Sequence, residues 1–194
     1  FELILSTVTG HAINLIHRNL IRKLVFSACM EISASAHPSR VIQRAYAEGR
    51  LELENWSLLS LQQRLMAGAF GFGFMPTKSI RSSTIAADNR EHFREMDDPF
   101  HEGERTGVLE ALNPDLSIIH GCFSDVFGNT VLQVPYGDDI WGSLASTDGV
   151  LVTVEKIVPS EVIRKYSSLV KIPSFMVKAV CPAPLGMHPY ALAN

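Results

Sequence analysis

Residues 52–79 read ELENWSLLSLQQRLMAGAFGFGFMPTKS, and the fold turns on this stretch. After a short lead-in the spacing predicts an amphipathic helix. Leu58, Leu61, Leu65 and Ala69 fall on one face, widened by Leu59, Met66 and Phe70, and Ser60, Gln63, Arg64 and Ala67 fall on the other. Asn55 or Ser57 caps its start, because a short side-chain oxygen accepts from a free first-turn N–H. The helix then runs into Gly68, Gly71 and Gly73, interleaved with Phe70, Phe72 and Phe74, and Pro76 stops it. Such glycines let backbone approach a strand, a partner chain or a ligand. The blander reading is a helix cap leading into a buried strand. The glycine spacing is neither that of a dinucleotide loop, which opens a helix rather than following one, nor that of a P-loop, since no Gly-Lys-Ser/Thr follows.

Working outward, strands and helices alternate. Residues 1–10 read as a helix end and a turn at Gly10, and residues 11–21 as a helix. Residues 24–30 read as a buried strand and 31–38 as a small polar loop. Pro38 opens a helix over residues 41–48 that Gly49 closes, and residues 51–54 alternate like a strand or an edge. Residues 79–106 are polar and read as a surface excursion with a short helix near 90–96 and a turn at 97–99, either a lid or a plain solvated loop. Strand candidates follow at 108–111, 116–120, 130–132 and 149–154, the last β-branched enough to be buried on both faces. A helix starts at Pro159, and residues 175–180 form the last strand ahead of a rigid Pro-rich loop. The alternation predicts an α/β domain with a mostly parallel sheet.

Composition narrows the function classes. The 194 residues suit a single domain, 46 % apolar and 19 % charged, with a formal net charge of −3. No basic run marks nucleic-acid binding, and no apolar run reaches the roughly 20 residues that span a bilayer. Cys29, Cys122 and Cys181 are odd in number and far apart, which predicts reduced, buried thiols in the cytoplasm. Cys29 or Cys122 would need a base to act as a nucleophile. No HExxH or CxxC occurs and the seven histidines do not pair at ligand spacings, so no metal is expected. Phe1–Leu5, which lacks a starting Met, predicts that the N-terminus is missing.

Four stretches together resemble a known family. They are residues 112–120 with Asp125 and Gly128-Asn129-Thr130; residues 152–158 with Glu161-Val162-Ile163-Arg164; residues 184–189, with Met187 where the family usually has Ala; and residues 48–57 with Phe74-Met75-Pro76. In order and spacing, over residues 24–190, the chain resembles the alpha subunit of family I coenzyme A transferases, of the glutaconate CoA-transferase type. The family's N-terminal strand and Gly-Gly-Phe loop have no counterpart by this reading, and residues 7–23 read as shorter than in relatives.

The resemblance implies an α/β fold of the NagB/RpiA-like kind, and an alpha-subunit domain incomplete at its N-terminus. It implies transfer of CoA from an acyl-CoA to a carboxylic acid through an acyl-glutamyl anhydride and a glutamyl-CoA thioester. The nucleophilic glutamate is expected in a beta subunit, within an α2β2 heterotetramer. The CoA thioester is a substrate, with no permanently bound cofactor. Ser33 and Ser35 stand where related subunits place a substrate-contacting serine, and Gly71, Phe72 and Gly73 would approach the pantetheine arm or, preferably, the beta subunit. Two alternatives remain. The first is a CoA-thioester or ring-cleaving hydrolase of steroid breakdown, with Glu54 or Glu31 as general base. The second is a non-catalytic structural subunit. Glu155 and His188 match family positions and read as fixing strand ends and the final loop.

Overall fold

The computed structural model describes residues 1–29, 39–134 and 136–188. In chain order the elements are β1 (Glu2–Val8), α1 (His11–His17), β2 (Lys23–Cys29), α2 (Arg40–Ala47), β3 (Glu52–Asn55), α3 (Leu58–Ala69), β4 (Phe74–Thr77), α4 (Thr84–Asp88), β5 (Phe93–Asp97) and β6 (Arg105–Glu110). They continue with β7 (Ser117–Ser124), β8 (Thr130–Val131), α5 (Asp138–Ala145), β9 (Val150–Ile157), α6 (Ser160–Lys165) and β10 (Val177–Pro182). The chain divides into two compact units, one of Phe1–Arg64 with Phe74–Glu110 and one of Leu65–Gly73 with Ala111–Asn194.

In the first unit β1, β2 and β3 form a parallel sheet with β2 in the centre, Leu24 facing Leu3 on one side and Leu53 on the other. Leu24, Val25 and Phe26 run consecutively buried, as a strand covered on both faces must. Its core gathers Val8, Ile16, Leu24, Phe26, Ile42 and Leu51. Residues 2–8 therefore form a strand, which corrects the expected helix end. Leu-Ile-Leu-Ser-Thr-Val lies flat against β2 because its backbone finds a ladder there.

The rest of this unit departs further from expectation. Residues 79–106 are no plain excursion: β4, β6 and β5 form an antiparallel sheet with β6 in the middle. Pro76 lies inside β4, an edge strand, where a missing N–H costs least. The helix expected near 90–96 is strand β5. Phe93 is buried, and a Cβ on Gly107 of β6 would lie 2.7 Å from its ring. That aromatic fit outweighs the charges of Arg94, Glu95 and Asp97, which mask the two-residue period. The helix sits earlier, as α4, with Ser83 accepting from the Ala86 amide at 3.2 Å. Removing that cap with Ser83→Ala is expected to cost about 1 kcal/mol in urea unfolding; no change would mean the cap contributes nothing.

Helix α3 is where expected, but its faces are not. Ser60, Leu61, Arg64, Leu65 and Ala67 are buried, whereas Leu58, Leu59 and Phe70 are more than half exposed. Hydrophobicity misassigns the face because Arg64 is buried by pairing. Ser57, of the two cap candidates, accepts from the Ser60 amide at 3.0 Å, and Ser60 returns a bond to the Ser57 amide. At the other end Phe72 N–H reaches Ala67 O at 2.8 Å and Gly71 takes φ +72°, a left-handed helix stop. The cap reading of the glycine loop thus accounts for Gly71.

The second unit is built on the sheet β10-β9-β7-β8, parallel except for β8. Val150, Val152 and Val154 are fully buried and alternate with half-buried residues. Helix α5, over residues no helix was expected from, places Ile140 against this core and Trp141 and Leu144 beside it. The thiols are less buried than expected: Cys29 and Cys122 are half-buried and Cys181 is exposed, all free. Among the described residues no helix is long and apolar enough to cross a membrane.

Candidate functional site

Two polar clusters, one in each unit, hold the side chains with chemical potential. The first centres on Glu54. Its position in β3, in register with Val25 of the central strand, carries its carboxylate into the interior, and it is 7 % exposed. Oε1 accepts from Trp56 Nε1 at 2.7 Å and Arg64 Nη1 at 2.5 Å, and Oε2 lies 2.8 Å from Lys23 Nζ and 3.6 Å from His92 Nε2. Arg64 is fixed in turn. Its Nε donates to Glu110 O at 3.0 Å, and its guanidinium lies 4.6 Å from the Trp56 ring centroid. His92 Nδ1 is 2.6 Å from Glu110 Oε2.

Burial alone would push the Glu54 carboxyl up. The bonds from Lys23 and Trp56 and the charge and bond of Arg64 outweigh it and hold the group down at about 2. A carboxylate so engaged has little affinity for a proton, and three donors already hold its two oxygens. Nothing in the sequence spacing flagged Lys23, Trp56, Arg64 or His92 as its partners; the available signal was an arginine one turn from the apolar stripe of a buried helix.

The second cluster joins β7, β9 and the loop after β10. The parallel register sets His120 against Thr153. His120 Nδ1 is 2.8 Å from Thr153 Oγ1, Nε2 is 2.9 Å from Glu155 Oε1, and the Leu185 amide donates to Glu155 Oε2 at 2.7 Å. The Leu185 amide first, then the His120 ring, hold Glu155 below the usual carboxylate range. Gly186 is forced by contact, since a Cβ there would lie 2.5 Å from His120 Cε1. Glu155 thus anchors the closing turn, as its sequence position suggested. Glu155→Gln is expected to keep the chain folded while speeding amide hydrogen exchange at Leu185; an unchanged rate there would refute the anchor.

The other sequence candidates fall out plainly. Ser33, Ser35 and Glu31 lie outside the described residues. Gly71 and Gly73 have open space where a side chain would stand, and Phe72 is 57 % exposed beside Phe70. Burial pushes the Cys29 thiol up, and burial with Glu155 pushes Cys122 up, so neither is activated. Asp125, 1 % exposed, accepts from the Phe127 and Asn129 amides and from Ser160, which explains the Asp125 and Gly128-Asn129-Thr130 signature as a locked turn. Beside it, past the carboxyl ends of β7 and β9, a cavity of about 420 Å³ is lined by Ser160, Ile163, Arg164, Ser167 and Val170. Open α/β sheets hold ligands at that end. Among the described residues one grouping has ligand atoms within 4.8 Å of one another, Asp98, His101 and Glu104. The β5–β6 turn explains it, because Asp98 accepts from the Phe100 and His101 amides.

A sequence model of coenzyme A transferases matches residues 2–183. The chain belongs to the coenzyme A transferase family. It is 25 % identical over 178 residues to the A subunit of glutaconate CoA-transferase from Acidaminococcus fermentans, covering 81 % of this chain and 53 % of that one. It is 30 % identical over 139 residues to the A subunit of 3-oxoadipate CoA-transferase from Pseudomonas knackmussii, covering 72 % and 48 %. The chain thus spans about half the length of these relatives. Among solved structures it superposes on glutaconate coenzyme A-transferase of Acidaminococcus fermentans with a TM-score of 0.83 at 24 % identity, covering 96 % of this chain and 64 % of that one. A variant of the decarboxylase AibA/AibB gives 0.81 at 25 % identity, over 100 % and 70 %. The expected family and its α/β fold, with parallel sheets flanked by helices, are both found.

Proposed function

We propose that this chain is the alpha-type domain of a heteromeric CoA-transferase that moves CoA from an acyl-CoA to a carboxylic acid. The observation that carries the reading is the family match over residues 2–183, reinforced by two relatives that are both A subunits of CoA-transferases. The beta subunit supplies the nucleophilic glutamate. Its carboxylate attacks the thioester carbonyl and releases CoA thiolate, leaving an acyl-glutamyl anhydride. The thiolate then attacks the glutamyl carbonyl and frees the first acid, and the second acid takes the CoA by the reverse sequence. Each tetrahedral stage needs N–H donors for its oxyanion.

Placing the nucleophile in the partner agrees with the state of the carboxylates here. The two most buried, Glu54 and Asp125, have their oxygens committed to donors of the same unit. The alpha chain shapes the acid pocket with Ser33 and Ser35, and Gly71, Phe72 and Gly73 meet the beta subunit, whose cover suits an exposed phenylalanine. The assembly is α2β2 and works in the cytoplasm, which free thiols suit. The hydrolase alternative asks Glu54 to take a proton, and a group held at about 2 is a poor base near neutrality.

The test is the chain co-expressed with its beta partner, incubated with a panel of acyl-CoAs with and without acetate. Acetyl-CoA formed only with acetate is expected. Free CoA released without an acceptor would replace the transferase reading with the hydrolase. Carbon dioxide release would move the chain toward the chemistry named for AibA/AibB. No turnover at all would leave the structural, non-catalytic reading.

A further inference from the structure

In the second unit β7, β9 and β10 run parallel, and parallel sheets are covered on both faces. Here the chain covers one face and leaves part of the other open. Val150, Val152 and Val154, with Ile119 and Val180, turn to the core that Ile140 and Ile172 complete. Their neighbours along each strand therefore point to the opposite face. Register sets Ile118, Leu151 and Ala179 in one row across the three strands. Ile118 is 72 % exposed and Ala179 is exposed, with Leu151 half-buried between them. The row is apolar and carries no charge.

The far end of the same face is closed by the chain itself. His120 and Thr153 form the next row, and Gly186 of the closing turn sits against the His120 ring. The Leu185 amide donates to Glu155 at 2.7 Å and so pins that turn. Leu185 has φ +62°, a left-handed conformation that leucine adopts only under constraint. Its side chain is 75 % exposed all the same. Strained backbone is thus held in place on this face, and what it presents outward is an apolar side chain.

We infer that the open face is the seat of a beta-type subunit, which covers Ile118, Leu151 and Ala179 and packs against Leu185. The inference rests on the reading above that this chain works with such a subunit, and it adds a second contact to that of residues 71–73. A row without charge suits a permanent partner, since obligate interfaces resemble a core cut in half. A second copy of this chain suits it poorly. A two-fold contact would bring the same row of both copies together, sheet against sheet, whereas a parallel sheet takes helices on its faces. The partner therefore offers an apolar helical face.

The test is co-purification of the chain with its beta partner, read by light scattering after gel filtration. Ile118→Asp is expected to weaken the complex by roughly tenfold or more. The urea midpoint of the free chain should stay unchanged, because the side chain already faces water. Leu185→Gly is expected to weaken the complex while leaving the free chain at least as stable, because glycine accepts a left-handed backbone. A residue that only held the fold would not separate those two readouts. Phe100→Asp, at an 88 % exposed side chain on the β5–β6 turn, is the control and should co-purify as wild type does. If Ile118→Asp does not fold, Leu185→Gly decides. Wild-type complexes from both variants, equal loss in Phe100→Asp, or no complex with the wild-type chain overturns the inference. Self-association of the chain that Ile118→Asp abolishes without any beta chain present gives the face to a second copy and overturns it too. A complex that forms but transfers no CoA removes the transferase reading and leaves the face assigned. Turnover by an intact Ile118→Asp complex does the reverse.

Discussion

Glu54→Gln is expected to cost about 3–5 kcal/mol of folding stability, although it changes one oxygen to an amide. The loss does not come from Glu54's own packing. It comes from Arg64, whose side chain is 2 % exposed and would be left with its charge uncompensated in the interior. Lys23, 20 % exposed, loses the same partner but keeps Glu52 at 3.1 Å. Arg64→Met should cost somewhat less, because Glu54 keeps Lys23 and the Trp56 indole N–H while losing its guanidinium partner, and the guanidinium is removed from Trp56. The double variant should cost clearly less than the sum, since it removes both charges of the buried pair. Urea midpoints of the four proteins measure this. A Glu54→Gln midpoint within about 1 kcal/mol of wild type, or strict additivity, would show that the pair does not hold this unit together.

The same carboxylate, held down by Lys23, Trp56 and Arg64 against its burial, sets an acid limit. Glu54 is ordinarily near 4.5 and is held at about 2 in the folded chain, so the folded state binds its proton less readily than the unfolded state. Its contribution is full above about 4.5 and declines as pH falls toward about 2, by something on the order of 3 kcal/mol. Stability plotted against pH should show this acid slope in wild type and a shallower one in Glu54→Gln. It follows that loss of activity in Glu54→Gln does not by itself distinguish a catalytic glutamate from a structural one. The rate must be read per folded molecule. The transferase reading expects that rate to survive, and the hydrolase reading expects it to vanish.

Where the sequence was legible, a single physical signal dominated. The stretch Leu24–Phe26 is apolar because both faces of its central strand are covered, and Val150, Val152 and Val154 mark the buried face of a second central strand whose alternate residues are half-buried. Gly49 and Gly71 mark helix stops by their left-handed backbone. Where two signals competed, reading failed. In α3 the charge of Arg64 argues for solvent, and only its partner ten residues earlier, on a different element, explains its burial. In β5 the charges hide a strand whose register is decided by Phe93 lying over Gly107 on β6. Glu54 itself reads as one of two acids in an alternating edge. Its role follows from the neighbours Lys23, Trp56, Arg64 and His92, which the fold brings together and spacing does not.

Gly149→Ala is expected to cost about 2–4 kcal/mol, confined to the second unit. Gly149 sits at φ +103°, outside the conformations a side chain accepts readily, and a Cβ there would stand 2.5 Å from the Met176 carbonyl oxygen. That atom is backbone and cannot swing aside. It belongs to the turn that delivers Val177 to its place opposite Val150, where β10 joins β9. Relief would therefore have to come from moving the start of β10 or the entry of β9, whose residue Val150 is fully buried. The comparison is Gly71→Ala, at φ +72° with nothing within 4 Å of the new carbon, which should pay strain alone, about 1–2 kcal/mol. Equal losses in the two variants would mean that the contact with Met176 is relieved at no cost. The effect should also reach the closing turn. β9 carries Thr153 and Glu155, so a displaced strand loosens the bond that the Leu185 amide donates to Glu155. Amide exchange at Leu185 should rise in Gly149→Ala and stay unchanged in Gly71→Ala, which links the two observations through one strand.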